Sequence, residues 1–416
     1  MAFVSDVPKQ GFRLSQLLYD TRYRSMTIQV VVLMFFMAGA AWLVDNTITN
    51  LSDRGKDFNF GFLGVRAGYD IGQRLIAYDS DNTHARAMLV GLLNTLLVSF
   101  LGCIVATVIG VFVGVLRLSK NWLVAKLMTV YVETFRNIPL LLWILIIFAI
   151  FSEVSPLPNA FREGGNASMM LFDSIAVTNR YTAVPDPLFS RSLGNIDIGI
   201  FLISADLLAI IAAVAAGIYA NRLVLRHATR VQNDTGIRPK TWWKSLMLLI
   251  LPGVLTLWAL GFYLAYPALR GFNFTGGINV SNSFMALWLA LSLYTGAFIA
   301  EIVRAGVMAI SHGQTEAAYA LGLRPQRTMN LVILPQALRV IIPPLISQFL
   351  NLTKNSSLAI ATGYLDLRGT LGGITLNQTG RELESVLLMM LIYLVISLLI
   401  SGVMNVYNAS VKLKER

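Results

Sequence analysis

The sequence predicts an all-α polytopic membrane protein with about eight transmembrane helices. Three observations carry that expectation. Of 416 residues, 56% are hydrophobic and 13% charged, whereas soluble domains run nearer a quarter charged. Mean hydropathy is +0.64. Several apolar runs approach or exceed the ~18 residues that mark a membrane helix. The runs are continuous rather than alternating, and only helices or closed barrels satisfy the backbone in lipid, so a helix bundle is expected over a barrel.

Candidate spans fall at about 27–44, 88–116, 127–151, 200–220, 245–266, 284–303, 338–353 and 386–408. In the first, Ala38-Gly39-Ala40 resembles a cleavage site, but the charged leader is long for a signal peptide, so an uncleaved anchor is expected. The seventh is short and contains Pro343-Pro344, so it is expected to be kinked or supported by its neighbours.

Charge sets the expected topology. With a cytoplasmic N-terminus, the inside segments are 1–26, 117–126, 221–244, 304–339 and 409–416; they hold 20 Lys and Arg against 5 acids. The outside segments 45–87, 152–199, 267–283 and 354–385 hold 12 against 14. That agrees with the positive-inside rule. The clearest inside loop is 221–244, with Arg222, Arg226, Arg230, Arg238, Lys240 and Lys244. The C-terminal Lys412 to Arg416 falls on the same side, so both termini are expected in the cytoplasm. This distribution accounts for the net charge of +11 without a nucleic-acid partner. The outside loops 45–87 and 152–199 are each long enough for a surface helix or a docking platform, or are plain connectors. Cys103 lies in an apolar run and, as the one cysteine, allows neither an internal disulfide nor a Cys-based metal site; a buried inert thiol is expected.

The polar stretch 311–335 interrupts the apolar pattern. Ser311-His312-Gly313-Gln314 fits a capping box, with Thr315 a second possible N-cap. Glu316 suits a first helical turn. Ala317, Ala320 and Leu321 form one apolar face, Gly322 stops the helix, and Pro325 is placed to open another. Met329, Val332 and Ile333 repeat the stripe, and Pro335 ends that helix or begins the next span. Two short amphipathic helices at a sharp turn are expected. On physics alone this is a docking element or an ordinary helical loop.

Glu316-Ala317-Ala318, Gly322, Val332, Leu334 and Pro335 resemble the EAA loop of ABC importer permeases, with Val332 where the family pattern has Ile. The match extends over twenty positions and, with its flanks, implies the type I importer permease fold with extra helices. It implies that Glu316, Ala317, Ala318, Gly322, Leu323, Arg324, Pro325 and Pro335 form the coupling element that docks on a cytoplasmic ATPase. Gly91-Leu92-Leu93-Asn94-Thr95, Glu133-Thr134-Phe135-Arg136-Asn137-Ile138-Pro139, Tyr294 to Arg304 and Leu352 to Leu358 are similar to polar amino-acid uptake permeases. The eight-span length is similar to the larger permease subunit of general L-amino-acid systems of the Aap and Bzt type. The resemblance divides the chain into an N-terminal segment (residues 1–87), two core segments (88–151 and 284–416), and an insertion (152–283) with two extra spans. It implies an inner-membrane chain with a second permease subunit, expected to be a different one, two ATPase subunits carrying ATP and Mg, and a periplasmic amino-acid-binding protein.

Charges at bilayer depth are costly and usually functional. Glu133 with Arg136 and Glu301 with Arg304 are spaced i, i+3; each is an intrahelical ion pair or has one member facing the pathway. Asp206 is expected to serve packing or insertion. For an amino-acid zwitterion, Lys354, Asn355, Ser356, Ser357, Asn94 and Thr95 could supply donors and Glu301 an acceptor, with helix-to-helix hydrogen bonding the competing role for each. There is no G-x-x-x-x-G-K-[ST] and no His spacing for a metal, so no cofactor and no hydrolysis is expected on this chain. The rival classes are an ion-coupled secondary transporter, which needs no docking helix, and a membrane enzyme, which should cluster His or carboxylates at a membrane face.

Overall fold

The computed structural model describes residues 21–53, 58–162, 164–199 and 202–411. The Gly55-Lys56-Asp57 stretch and the basic Lys412 to Arg416 tail lie outside the described residues. Contacts divide the chain into units Met1–Gly61 and Phe62–Arg416. The first contributes helix α1 (Thr21–Asp53), whose stretch Arg24–Asn50 is long and apolar enough to cross a membrane.

In the second unit, α2 (His84–Leu116) starts where Thr83 accepts from the Arg86 N–H. Helix α3 (Trp122–Asn137) is capped by Asn121, which accepts from Leu123 and Val124 N–H. It stops because Pro139 pushes Ile138 into the extended region, at φ −100° and ψ 134°. Helix α4 (Leu140–Ala149) then leaves at 104° to α3. The expected third span is thus two helices, broken at the proline. Helices α5 (Ala205–Thr235) and α6 (Trp242–Ala259) follow, then α7 (Asn282–Met308), capped by Ser281. The hairpin helices are α8 (His312–Ala320) and α9 (Pro325–Thr328); a π turn, Met329–Ile333, leads into α10 (Leu334–Asn355). A short helix α11 (Leu367–Gly369), a π turn and α12 (Leu376–Thr379) precede α13 (Glu382–Val411). Among the described residues seven helical stretches could cross a membrane, or eight if the bent α3–α4 pair counts as one span.

Three boundaries differ from the sequence reading. The fourth span continues past residue 220 to Thr235, because nothing between them breaks a helix until Gly236 turns left-handed. The fifth ends at Ala259, since Gly261, at φ +65°, diverts 262–265 into a strand. The seventh is not short: Pro335 occupies a first-turn position where its missing N–H costs nothing, so the span runs on from the hairpin.

Helix α7 is the central pillar. Val98 and Ala106 of α2, Leu140 and Ile144 of α4, Leu287, Leu291 and Ile299 of α7, and Ile341 and Leu352 of α10 form one buried cluster. Cys103 is half-buried against it. The α2–α7 crossing is made by Gly110-x-x-x-Gly114 against Gly296-x-x-x-Ala300, small residues at the spacing that lets membrane helices touch backbone to backbone.

Short antiparallel strands tie the insertion down. β1 (Ala176–Val177) pairs with β2 (Tyr181–Val184), which also pairs with β9 (Ile278–Ser281). β3 (Asp186–Phe189) pairs with β6 (Phe262–Ala265), β4 (Asn195–Asp197) with β5 (Leu202–Ser204), and β7 (Ala268–Arg270) with β8 (Asn273–Thr275). Loop 152–199 is therefore pinned at intervals by short strands rather than left as a plain connector. Asp206, buried in the first turn of α5, accepts from the Ser192 hydroxyl at 2.6 Å and Leu193 N–H at 2.8 Å. It fastens the loop to the helix end rather than packing helix on helix.

Candidate functional site

Two regions gather the sequence-predicted residues. The first is the hairpin. Ser311 takes the N-cap position of α8 and Thr315 does not, but the reciprocal side-chain bonds of a capping box are not made. Gln314 instead accepts from Gln336 at 3.4 Å, linking α8 to α10. The helix ends as expected: Gly322 has φ +75°, with Gly322 N–H donating to Tyr319 O and Leu323 N–H to Ala318 O. Arg324 takes the N-cap position of α9, with Pro325 in its first turn. Glu316 is exposed and meets His312 at 3.0 Å.

The inward face differs from the expected stripe. Ala318 and Thr328 are buried, whereas Ala317 and Ala320 are exposed, Leu321 is 82% exposed, and Tyr319, Met329 and Leu331 are also exposed. Val332 and Ile333 are half-buried. Close approach of α8 selects the small Ala318 for the inner side, which turns larger apolar side chains outward.

The second region joins the N-terminal part of α2 to the segment after α10. Asn94 Nδ2 donates to Gln73 O at 2.8 Å and Leu365 O at 2.9 Å. Leu367 N–H donates to Thr95 Oγ1 at 3.0 Å, and Tyr364 OH to Asn94 O at 3.3 Å. A Cβ at Gly91 would lie 2.7 Å from Asp366 O, so only glycine lets the segment this close. The Gly91-to-Thr95 motif thus pins this segment to α2. Ser356 is fully buried and donates to Thr353 O at 2.8 Å. Lys354 is exposed and makes no ion pair or hydrogen bond among the described residues, while Asn355 and Ser357 are half-buried.

Sequence reasoning missed Asp366. It is fully buried, caps α11 by accepting from Gly369 N–H at 2.8 Å, and accepts from Tyr393 OH at 3.4 Å. Nothing in the local sequence marks it; its environment comes from α2 and α13. Burial pushes its carboxyl up to about 7 from 3.8, against opposing hydrogen bonds from Gly369 and Tyr393. The protonated form is therefore favoured by folding: that contribution is full below 3.8 and is lost as pH rises through about 7. Asp366→Asn keeps an acceptor for Gly369 but cannot titrate. Thermal midpoints of the purified protein should fall less steeply from pH 4 to pH 8 in this variant than in the parent, and parallel profiles would dismiss the role.

Glu301 lies elsewhere, in the last third of α7. Its Oε2 takes Arg117 from the C-cap of α2, and its Oε1 meets Arg304 at 2.5 Å. The Glu301–Arg304 pair is thus made and is extended by Arg117 into an inter-helix cluster that occupies both carboxylate oxygens. Glu133 and Arg136 make no ion pair with each other; Arg136 lies over the Phe298 ring at 5.3 Å, and Glu133 accepts from Asn137 at 3.4 Å. With Glu301 at one level and Asn94, Thr95 and Ser356 in internal hydrogen bonds at another, the seven proposed substrate contacts do not form one cluster.

A bundle of membrane-length helices around a small-residue seam, with a helical hairpin outside its core, defines a multi-pass membrane protein. Residues 106–413 match the family described as binding-protein-dependent transport system inner membrane component. The chain belongs to that family. It is 64% identical to the glutamate/glutamine/aspartate/asparagine transport system permease protein BztB of Rhodobacter capsulatus, covering 100% of both chains. It is 45% identical to the general L-amino acid transport system permease protein AapQ of Rhizobium johnstonii, over 98% of this chain and 96% of that one. Identity to the putative amino-acid ABC transporter permease protein YhdX of Escherichia coli is 44%, over 94% and 95%.

Proposed function

We propose that this chain is the permease subunit of an ATP-driven importer that moves L-amino acids into the cell by alternating access. The observation that carries the reading is the 311–335 hairpin: anchored through Ala318 and Thr328, it turns Tyr319, Leu321 and Met329 outward. Exposed apolar groups on an element that does not span lipid suit a protein partner. That partner is a pair of cytoplasmic ATPase subunits holding ATP and Mg. Their closure pushes Glu316, Ala317, Ala318, Gly322, Leu323, Arg324 and Pro325, and the push enters α10 directly because the chain is helical through Pro335. A binding protein delivers the amino acid outside, and a second, different permease subunit completes the pathway. Both termini lie in the cytoplasm. The amino-acid substrate is supported by the names of the relatives.

Of the proposed substrate contacts, Lys354 is favoured for the carboxylate, with Asn355 and Ser357 beside it, because it is an exposed cation at the end of α10 without a partner among the described residues. The test uses the assembled transporter in proteoliposomes with its binding protein. Gly322→Pro, which cannot adopt φ +75°, and Glu316→Lys should each lower uptake at least tenfold while unstimulated ATP hydrolysis persists or the ATPase dissociates. Lys354→Ala should lower uptake with the ATPase still bound. Normal coupling in both hairpin variants would sink the proposed docking role, and unchanged uptake would remove Lys354 from the pathway.

A further inference from the structure

The α5–α6 pair carries a feature that transport does not explain. The two helices cross where a Cβ at Gly217 would lie 2.3 Å from Leu248 O and 3.2 Å from Pro252 Cγ. The side of α5 facing α6 is marked by Gly217, Asn221, Val224, Ala228 and Val231, all buried or half-buried. At about 100° per residue, Arg222, Arg226 and Arg230 fall within about 80° of arc on the opposite side. All three are exposed and have no ion pair or hydrogen bond among the described residues.

Their height along the hairpin matters as much as their face. Arg222 stands about 8 Å beyond the crossing, and Arg226 and Arg230 about 14 and 20 Å beyond it. On α6, Lys244 and Trp242 stand about 6 and 9 Å on the same side of it. The exposed Trp242 and Trp243, with Lys244 Nζ over the Trp243 ring at 5.4 Å, therefore lie level with Arg222. Tryptophans of this kind sit at the headgroup boundary of a bilayer. Arg226, about 6 Å beyond the tryptophans, then stands in the headgroup layer, whose thickness is about 5–8 Å on each side of the hydrocarbon core. Arg230, about 12 Å beyond them, reaches back to it because helical side chains lean toward the N-terminus. Arg238 and Lys240 close the loop, and Asp234 is the one acid in 221–244. The helices beneath are apolar and almost unburied within the chain, a surface suited to lipid.

We propose that Arg222, Arg226 and Arg230, with the Trp242-Trp243-Lys244 belt, form a binding site for the headgroups of anionic phospholipids, which fixes the depth and rotation of the α5–α6 hairpin. That this end meets the cytoplasmic leaflet rests on the orientation proposed above. A lipid is favoured over a protein because the stripe continues an apolar, tryptophan-belted surface that is already in the bilayer. Each cation near an anionic membrane surface contributes about a fivefold gain in affinity, so three should contribute on the order of a hundredfold.

The test is native mass spectrometry of the assembled transporter in detergent, supplied with mixed phosphatidylglycerol and phosphatidylcholine. The parent should retain phosphatidylglycerol selectively, and millimolar inorganic phosphate should not displace it. Arg222→Gln/Arg226→Gln/Arg230→Gln should lose most of that retention, while the corresponding triple lysine variant, with the charge kept, should hold it. Equal retention in the parent and the glutamine variant would overturn the proposal. So would loss of a protein subunit with lipid retention unchanged, which would reassign the stripe to a protein contact. Labelling of Gln232→Cys by an impermeant maleimide in sealed vesicles reads sidedness separately. Labelling from outside would overturn the proposed orientation and leave the lipid site standing.

Discussion

Gly110→Leu is expected to abolish the assembled transporter. A Cβ at 110 would lie 2.5 Å from Ile299 Cβ and Cγ2 and 3.0 Å from Gly296 O. Four residues on, a Cβ at Gly114 would lie 2.7 Å from Ala300 O and 2.8 Å from Val303 Cβ. Some of these atoms are backbone, so no rotamer change makes room, and α2 and α7 must separate along their length. Overpacking a core by one or two methylenes costs about 1–3 kcal/mol; a leucine against a helix backbone should cost more, a large share of the roughly 5–15 kcal/mol that holds a domain together. In detergent the variant should give little monodisperse protein, with Gly110→Ala intermediate. A Gly110→Leu protein that elutes and melts like the parent would show that the seam is not where the bundle is held.

Glu301→Gln is expected to destabilise the bundle rather than merely remove a substrate contact. The Arg117 side chain is 9% exposed and meets Glu301, whose own side chain is 26% exposed. Removing one partner of a buried pair costs about 3–5 kcal/mol, because the remaining charge stays desolvated; the partial exposure of Glu301 and the retained amide reduce this to roughly 2–3 kcal/mol. Adding Arg117→Gln should restore some of the loss, since the stranded charge is then gone. A substrate contact would behave differently: uptake would fall at unchanged thermal stability, and the second substitution would not help. Thermal midpoints of the two single variants and the double variant, measured beside uptake, separate the roles.

The helix bundle was legible because lipid demands it: long apolar runs have few other solutions. The hairpin turn was legible too, since Gly322 and Pro325 act through their own backbone geometry. What stayed hidden depends on neighbours. Pro139 could have signalled the α3–α4 break by its effect on Ile138, but the apolar run across 127–151 masked it. The inner face of α8 could not be read from an i, i+3, i+4 rule in nine residues, because the spacing to the bundle chose Ala318 over Leu321. Asn94, Thr95 and Glu301 carried the chemistry of a ligand site, yet their partners, Leu365, Leu367 and Arg117, lie far along the chain. The polarity of a buried group identifies a hydrogen bond or an ion pair; only the fold says with whom.

The strand pairs at the base of the insertion carry one more consequence. Tyr181 stands opposite Ser281 and Phe189 opposite Phe262, and Ser190 and Arg191 N–H still reach Gly261 O and Leu260 O at 3.1 and 3.0 Å. The chain therefore returns from its excursion through α5 and α6 to within a ladder's width of where it left. The excursion is a closed detour with almost no net displacement. Whatever grew or shrank beyond Arg191 over evolutionary time would leave the start of α7 where it was, so lineages could rebuild this appendage while the conduit beside it kept working.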